Sequence, residues 1–172
     1  MRIGAVVLNI FATIWWIVGA VTLNWSPALS IGVPVVILLY LFLIQKKSGT
    51  MLVNQSEQES RRIGRLVSIA SSIEGIAIFI TVNILANLGK SELLLPIIAI
   101  IVGLHFLPLA RWIPSTVYYY TAVVLILLGT IGLCNVDSIL RMIIVCFGSA
   151  LTLWLTSYSL IRRLTSSSRP KV

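Results

Sequence analysis

Long apolar runs alternate with short polar connections along the whole chain. Six of these runs come close to the roughly 20 residues that a helix needs to cross the apolar layer of a membrane. They cover residues 3–23, 27–44, 66–88, 93–110, 115–134 and 139–161. The pattern predicts an all-α integral membrane protein, built as one transmembrane domain from a bundle of six transmembrane helices.

The connections between these runs predict how the helices follow one another. Four of them are only a few residues long, which makes consecutive helices antiparallel neighbours. The fifth, residues 45–65, is long and polar, and residues 162–172 form a polar tail. Helices one to three and four to six are also candidate halves of a 3+3 inverted repeat, because three helices per half reverse the second half in the membrane.

Composition supports the membrane assignment, and the distribution of charge predicts on which side of the membrane each connection lies. Charged residues make up 10% of the chain, against about 25% in soluble domains, which excludes a soluble enzyme and a disordered chain. Of 13 Lys and Arg residues, only Lys90 and Arg141 fall on one side of the predicted topology. The other eleven share the side of both termini, so residues 45–65 and 162–172 are predicted to be cytoplasmic.

The basic balance also bears on partners and chemistry. A net charge of +8 suggests nucleic acid in a soluble protein, but here the positive-inside rule accounts for it and we expect no nucleic-acid partner. One His and two Cys residues do not make a metal site, and no enzyme motif or cofactor loop occurs. Enzymatic activity stays an open question that the sequence disfavours, and no cofactor is expected.

Two ionisable side chains lie at membrane depth and are the strongest candidates for function. Glu74 follows Arg65 by nine residues, about 13 Å along a helix. His105 precedes Arg111 by six residues, about 9 Å along a helix that runs the other way. Sequential antiparallel helices therefore carry the two side chains at similar depth, and the sequence predicts that they can meet.

Further polar and helix-distorting residues surround this predicted pair. Ser71 and Thr81 fall on roughly the same helical face as Glu74 and are candidate members of a binding or proton-relay site. Pro108 has no N–H group, so the helix that carries His105 is predicted to be distorted there. Pro96 is a second candidate distortion, close to the start of the same helix.

The predicted pair has two interpretations. In the first, Glu74 and His105 line a hydrated cavity and bind a cation or relay a proton, since both groups can exchange protons near neutral pH. In the second, they form a structural hydrogen bond between helices three and four. The first interpretation predicts a small-solute or ion transporter or channel, proton-coupled through this pair and working as a homo-oligomer because one small monomer leaves little room for a path.

Two other function classes remain open at this point. One is a non-catalytic membrane scaffold or accessory subunit, favoured by the scarcity of polar groups within the spans. The other is a lipid-binding or lipid-modifying protein whose basic residues contact anionic headgroups. The residues concerned are Lys46, Lys47, Arg61, Arg62 and Arg65. Membrane lipids and further copies of the chain are accordingly the expected partners, besides a substrate that the sequence does not identify.

The segment from Gly103 to Ala110 reads Gly-Leu-His-Phe-Leu-Pro-Leu-Ala. It resembles a segment of uncharacterised small bacterial multi-pass inner-membrane proteins, in which a Gly-x-His-(Phe/Leu)-x-Pro element ends a late helix before a basic or aromatic patch. Arg111-Trp112 and the Tyr118–Tyr120 run match that patch. The resemblance extends over about half of the chain. It implies the bacterial inner membrane and draws attention to His105, but it implies no activity.

Overall fold

The computed structural model describes residues 2–47, 57–113, 115–134 and 137–166. Every regular element in these ranges is helical. The helices are α1 (Arg2–Thr22), α2 (Pro27–Lys47), α3 (Glu57–Asn87), α4 (Leu94–Trp112), α5 (Thr116–Leu133), α6 (Ser138–Met142) and α7 (Gly148–Ser166). A 3-10 turn, Ser91–Leu93, precedes α4, and a π-helical turn, Ile143–Phe147, joins α6 to α7.

Six helical segments in the described part of the chain are long and apolar enough to cross a membrane. They are Gly4–Thr22, Pro27–Ile44, Arg61–Asn87, Ser91–Trp112, Thr116–Leu133 and Ser138–Arg162. Many of their large apolar side chains are exposed, among them Val36 on α2 and Phe79 on α3. Such a surface suits lipid and not water. The predicted all-α architecture with six such segments is confirmed at this level.

The structure differs from the sequence prediction around residues 45–65. Helix α2 continues to Lys47 and α3 begins at Glu57, so Arg61, Arg62 and Arg65 lie on a helix and not in a loop. Residues 48–56 lie outside the described residues. Hydropathy marks where a helix becomes apolar and not where it begins. Because Arg, Glu and Gln are good helix formers, α3 starts in the polar sequence before its apolar part.

The backbone groups into two compact units. The terminal unit comprises residues 1–53 and 149–172, and the central unit comprises residues 54–148. The central unit therefore places α3 together with α4 and α5, whereas a 3+3 repeat assigns α3 and α4 to different halves. Nothing in this grouping confirms the repeat.

The tightest packing in the central unit joins α4 to α5. A Cβ atom added to Gly103 meets Ile126 Cγ1 at 2.8 Å and the carbonyl oxygen of Ala122 at 3.0 Å. One added to Gly129 meets the carbonyl oxygen of Pro96 at 2.5 Å. These distances leave no room for any side chain larger than hydrogen, so the two backbones approach each other as closely as small residues allow in membrane helix pairs.

Two helix ends close with the same turn. Asn24, after α1, and Gly89, after α3, adopt left-handed backbone with φ of 54° and 65°. The N–H of the residue that follows each of them donates to the carbonyl five residues earlier, at 2.9 Å in both turns. This is the Schellman arrangement, which satisfies carbonyls that a helix end leaves unpaired. Each helix pair, α1 with α2 and α3 with α4, is therefore joined by a turn with local hydrogen bonds.

The close approach of α4 and α5 predicts that Gly129→Ala destabilises the protein. The new methyl group must displace backbone at Pro96, so we expect a loss of about 1–3 kcal/mol in unfolding free energy, typical of overpacking. Unfolding of the purified protein in detergent, followed by circular dichroism, measures it.

Gly75→Ala is the matched control for this substitution. It lies on α3 with no atom within 4 Å of the added Cβ, and alanine is the better helix former by up to about 1 kcal/mol. Its stability should equal or exceed that of the unmodified chain. Equal losses in both variants would contradict a specific approach of α4 to α5.

Candidate functional site

One face of α3 is distinguished from the rest of the helix by its burial. Its members recur every three or four residues and are buried or half-buried, whereas most of α3 is exposed. They are Ile63, Val67, Ala70, Glu74, Ala77, Thr81 and Leu85. This spacing forms one stripe along a helix. Glu74 is the only ionisable residue of the stripe, so the structure places its carboxyl group toward the interior of the central unit.

Helix α4 carries two such stripes. The first is fully buried and packs against α5; it consists of Pro96, Ala99, Gly103, Phe106 and Ala110. The second is half-buried and consists of Leu94, Ile98, Ile101, His105, Pro108 and Trp112. His105 therefore lies on the side of α4 that contacts α3, while the opposite side is fixed by α5.

The two predicted side chains meet. His105 Nδ1 lies 3.4 Å from Glu74 Oε2, which is ion-pair distance, and the side chains are 10% and 11% exposed. A charge-assisted hydrogen bond between such groups is shorter, at about 2.7–2.9 Å. The groups are thus in contact without being held in an ideal hydrogen bond, and small side-chain rotations are enough to form or open one.

The imidazole has further neighbours on both sides. The backbone carbonyl of Ala70, one turn before Glu74 on α3, lies close to the imidazole of His105. On the other side, the ring of Phe106 lies 5.9 Å from that of His105 and stacks on Tyr118 of α5 at 5.9 Å. Two groups of α3 and an aromatic stack toward α5 therefore set the position of the imidazole.

A Glu–His pair in this arrangement can hold a shared proton. The pair is neutral when the proton resides on the carboxyl group and the imidazole is uncharged, and it is a compensated ion pair when the imidazole carries the proton. Both states avoid an isolated buried charge, which is the costly alternative. Binding of an external cation to the carboxylate, or removal of the shared proton, changes the net charge of the site by one.

The other predicted site residues are placed around this pair without joining it. Ser71 is exposed. Thr81 lies on the same stripe as Glu74, but its hydroxyl group donates to the carbonyl of Ala77 at 2.8 Å in its own helix. Helix α4 continues past Pro108 to Trp112, and Pro96 lies in its first turn, fully buried against α5. The main role of Pro96 in the structure is therefore packing.

Three of the five predicted headgroup ligands are described in full. Arg61, Arg62 and Arg65 are exposed on the first turns of α3, and spacings of three and four residues place them within one side of the helix. Lys46 and Lys47 end α2, and their side chains lie outside the described residues.

Sequence reasoning did not anticipate Ala70, Phe106 and Tyr118 as neighbours of the pair. Periodicity on α3 places Ala70 on the stripe of Glu74, but a backbone carbonyl carries no sequence signal. The Phe106–Tyr118 stack depends on the register between α4 and α5, which the short connection between them does not specify.

Among the described residues, no group of three or more His, Cys, Asp and Glu side chains is placed to hold a metal ion. Comparison of the chain with protein-family models, with curated proteins and with solved structures finds no match. Any functional proposal therefore depends on the geometry of these residues.

The contact between Glu74 and His105 predicts coupled effects on stability. In a double-mutant cycle with Glu74→Ala and His105→Ala, we expect an interaction energy of about 0.6–1.7 kcal/mol, the range of hydrogen bonds within membrane proteins. Unfolding of the four proteins in detergent provides the measurement.

The control cycle replaces Glu74→Ala by Thr81→Val. The Thr81 hydroxyl group donates a hydrogen bond within α3. The losses of unfolding free energy caused by Thr81→Val and His105→Ala should therefore be additive. Additive effects in both cycles would show that the pair contributes no direct interaction in solution.

Proposed function

We propose that the chain is a multi-pass integral protein of the bacterial cytoplasmic membrane, with both termini in the cytoplasm. The six helical segments of sufficient length and hydropathy support the first part. The distribution of Lys and Arg residues supports the sidedness, since eleven of the 13 in the chain fall on one side of a six-span topology. The resemblance of the Gly103–Ala110 segment supports the bacterial membrane.

We further propose that the protein is a small-solute or ion transporter, or a channel, that is proton-coupled through Glu74 and His105. The observation that carries this proposal is the 3.4 Å contact between these side chains on two helix stripes that carry no other ionisable residue. In this proposal Glu74 binds a proton or a cation in exchange, and His105 accepts or returns the proton.

Energetics favour this function over a purely structural pair. Placing a charged residue at membrane depth costs about 2.5–3.5 kcal/mol on insertion scales. A hydrogen bond between membrane helices returns about 0.6 kcal/mol on average. A pair of apolar residues would join α3 to α4 at lower cost, so the retention of a carboxyl group and an imidazole points to a use for their protons.

The surroundings of the pair also support exchange with the exterior of the bundle. Both side chains keep about a tenth of their surface exposed. Ser71, one turn from Glu74, is exposed, and the space in front of Gly75 is open to at least 4 Å. A path to the pair along this side of α3 needs no large rearrangement of the central unit, but it needs a second copy of the chain beside α3 to keep lipid out of it.

Reconstituted protein tests the proposal directly. Proteoliposomes containing a pH-sensitive dye receive a potassium diffusion potential through valinomycin, and the assay is repeated with a sodium gradient. We expect proton movement that Glu74→Gln and His105→Ala each lower by roughly a hundredfold or more, as for loss of a proton-transfer group.

The matched control is Glu92→Gln, which removes the same charge from an exposed position in the 3-10 turn before α4. It should keep the rate of the unmodified chain. Movement that is absent, or equal in all four proteins, would contradict proton coupling at the pair and favour a scaffold or accessory subunit.

The sidedness makes a separate prediction for the two cysteines, which are both free. Cys134 is exposed at the end of α5, the fifth span, and Cys146 is buried. With cytoplasmic termini, Cys134 faces the outer side. A membrane-impermeant maleimide should therefore label intact cells through Cys134, and Cys134→Ser should abolish labelling. Labelling only after the membrane is permeabilised would reverse the proposed orientation.

A second candidate function, lipid-headgroup binding, is favoured by one observation. Arg61, Arg62 and Arg65 form an exposed basic side on the first turns of α3, at the depth where the proposed orientation places phosphate groups of the inner leaflet. Native mass spectrometry of the purified protein distinguishes the candidates. Retained anionic lipid that is lost on replacing the three arginines by glutamine supports headgroup binding, which is compatible with transport.

A further inference from the structure

The distance between Glu74 and His105 suits a bridging ion better than a hydrogen bond. His105 Nδ1 and Glu74 Oε2 are 3.4 Å apart, whereas a charge-assisted hydrogen bond spans about 2.7–2.9 Å. Bonds of about 2.0–2.2 Å from one tetrahedral zinc ion to a nitrogen and an oxygen place those two atoms about 3.3–3.5 Å apart. The two side chains are therefore spaced so that one such ion fits between them without a large movement of either helix.

The two donor atoms also select a class of ion. An imidazole nitrogen together with a carboxylate oxygen suits zinc and its neighbouring transition metals, whereas Mg²⁺ and Ca²⁺ take oxygen ligands. The carbonyl of Ala70 lies close to the same imidazole and adds one oxygen atom on this side of the pair. The donor set therefore favours a divalent transition-metal ion over an alkaline-earth ion.

The number of donors distinguishes an exchangeable ion from a permanent one. Within the described part of the chain, no third His, Cys, Asp or Glu side chain joins the pair. A structural zinc site closes its coordination shell with four protein ligands. With two side-chain ligands, water completes the shell and the ion can leave, so the pair suits a reversible ligand and not a resident cofactor.

Both donors are already held in position before an ion arrives. The imidazole lies against Phe106, which stacks on Tyr118, and both side chains of the pair are about nine-tenths buried. Little side-chain freedom is left to lose on binding. Beside Glu74, an added Cβ at Gly75 has no atom within 4 Å, which leaves space for the water ligands of an ion.

The charged groups around the pair leave the carboxylate available. Arg65 is exposed and lies nine residues before Glu74 on α3, about 13 Å along the helix. Arg111 is exposed and lies six residues after His105 on α4, about 9 Å along the helix. Helix α5 contains no charged residue and contributes the phenol of Tyr118, on the far side of the aromatic stack. No cationic side chain of α3, α4 or α5 therefore occupies the place of an ion.

We propose that Glu74 Oε2 and His105 Nδ1 together bind a divalent transition-metal ion such as Zn²⁺, and that this ion blocks proton exchange at the pair. The binding rests on the geometry, and the block rests on the proposed function. When the ion binds the neutral pair, the shared proton leaves to solution, and the carboxylate and the uncharged imidazole coordinate the metal. The ion then occupies both atoms between which the proton would move.

Binding is tested on the full-length protein, purified through an affinity tag without histidine. Because the chain contains one His, nitrogen NMR of isotope-labelled imidazole in detergent reports on His105 alone. Cys134→Ser serves as the background, since it removes an exposed thiol that also binds zinc. Zn²⁺ should shift the Nδ1 signal in a saturable way, and Mg²⁺ should leave it in place.

Glu74→Gln should weaken Zn²⁺ binding about tenfold or more, because even groups that only support a metal ligand are worth that much. Glu92→Gln, which removes an exposed carboxylate from the 3-10 turn before α4, is the matched control and should bind as the background does. His105→Gln, followed by calorimetric titration, provides a second variant in case Glu74→Gln does not fold.

The block is tested in the proteoliposome assay, where Zn²⁺ should lower proton movement in the background protein and in Glu92→Gln. The proposal is overturned if Zn²⁺ shifts the Nε2 signal in place of Nδ1, if Glu74→Gln binds as tightly as the background, or if the zinc-bound protein moves protons at the full rate. Absence of proton movement without zinc would contradict the proposed function and with it the block, whereas the NMR titration decides metal binding by itself.

Discussion

The close approach of α4 to α5 is the constraint on which the central unit depends. In the lipid environment proposed for this chain, no hydrophobic effect drives helices together, so contact between backbones has to supply the attraction. Gly103 and Gly129 allow that contact, and the distances at these positions exclude even a methyl group. With one side of α4 fixed in this way, its other side presents His105 to α3 at a defined height. The position of the candidate site therefore depends on the packing of α4 against α5, on the side of α4 opposite His105.

Helix α3 has a different character. Most of its surface is exposed, and its contact with the unit consists of one stripe of largely small or half-buried residues. Glu74 thus lies on the more loosely held partner and His105 on the firmly held one. An arrangement in which one member of the pair can shift against a fixed partner suits the proton-coupled transport proposed above, because the pair can open and close without disturbing the core.

The sequence predicted six long apolar helices and placed Glu74 and His105 at similar depth, where they could meet, because both depend on quantities that a chain displays directly. Hydropathy locates apolar helices, and distance from a terminal arginine gives depth. It did not predict the start of α3 at Glu57, since helix formation continues into polar sequence. Nor did the sequence predict the π-helical turn at Ile143–Phe147. A π-helical turn contains about one residue more than an α-helical turn, and this does not change the hydropathy of the segment. Helical spacing placed Thr81 on the right stripe, but whether its hydroxyl group is free depends on a rotamer.

Charge is distributed unevenly between the two units, and their chemistry differs accordingly. All five acidic residues of the chain lie between residues 54 and 148. The central unit thus contains every carboxyl side chain of the chain, and the site proposed for proton exchange lies in it. The terminal unit combines indole, amide and hydroxyl groups with basic side chains and has no carboxyl side chain.

The matched turns at Asn24 and Gly89 bear on how such a chain reaches its folded state. Each closes through hydrogen bonds to residues no more than five positions back, so nothing distant is needed to form it. In the membrane protein proposed above, a helical hairpin that is complete in itself can enter the bilayer with its polar turn already satisfied. The helical hairpins then form in the order of their synthesis. The hairpin of α1 and α2 forms first and that of α3 and α4 follows, both before α7 is synthesised.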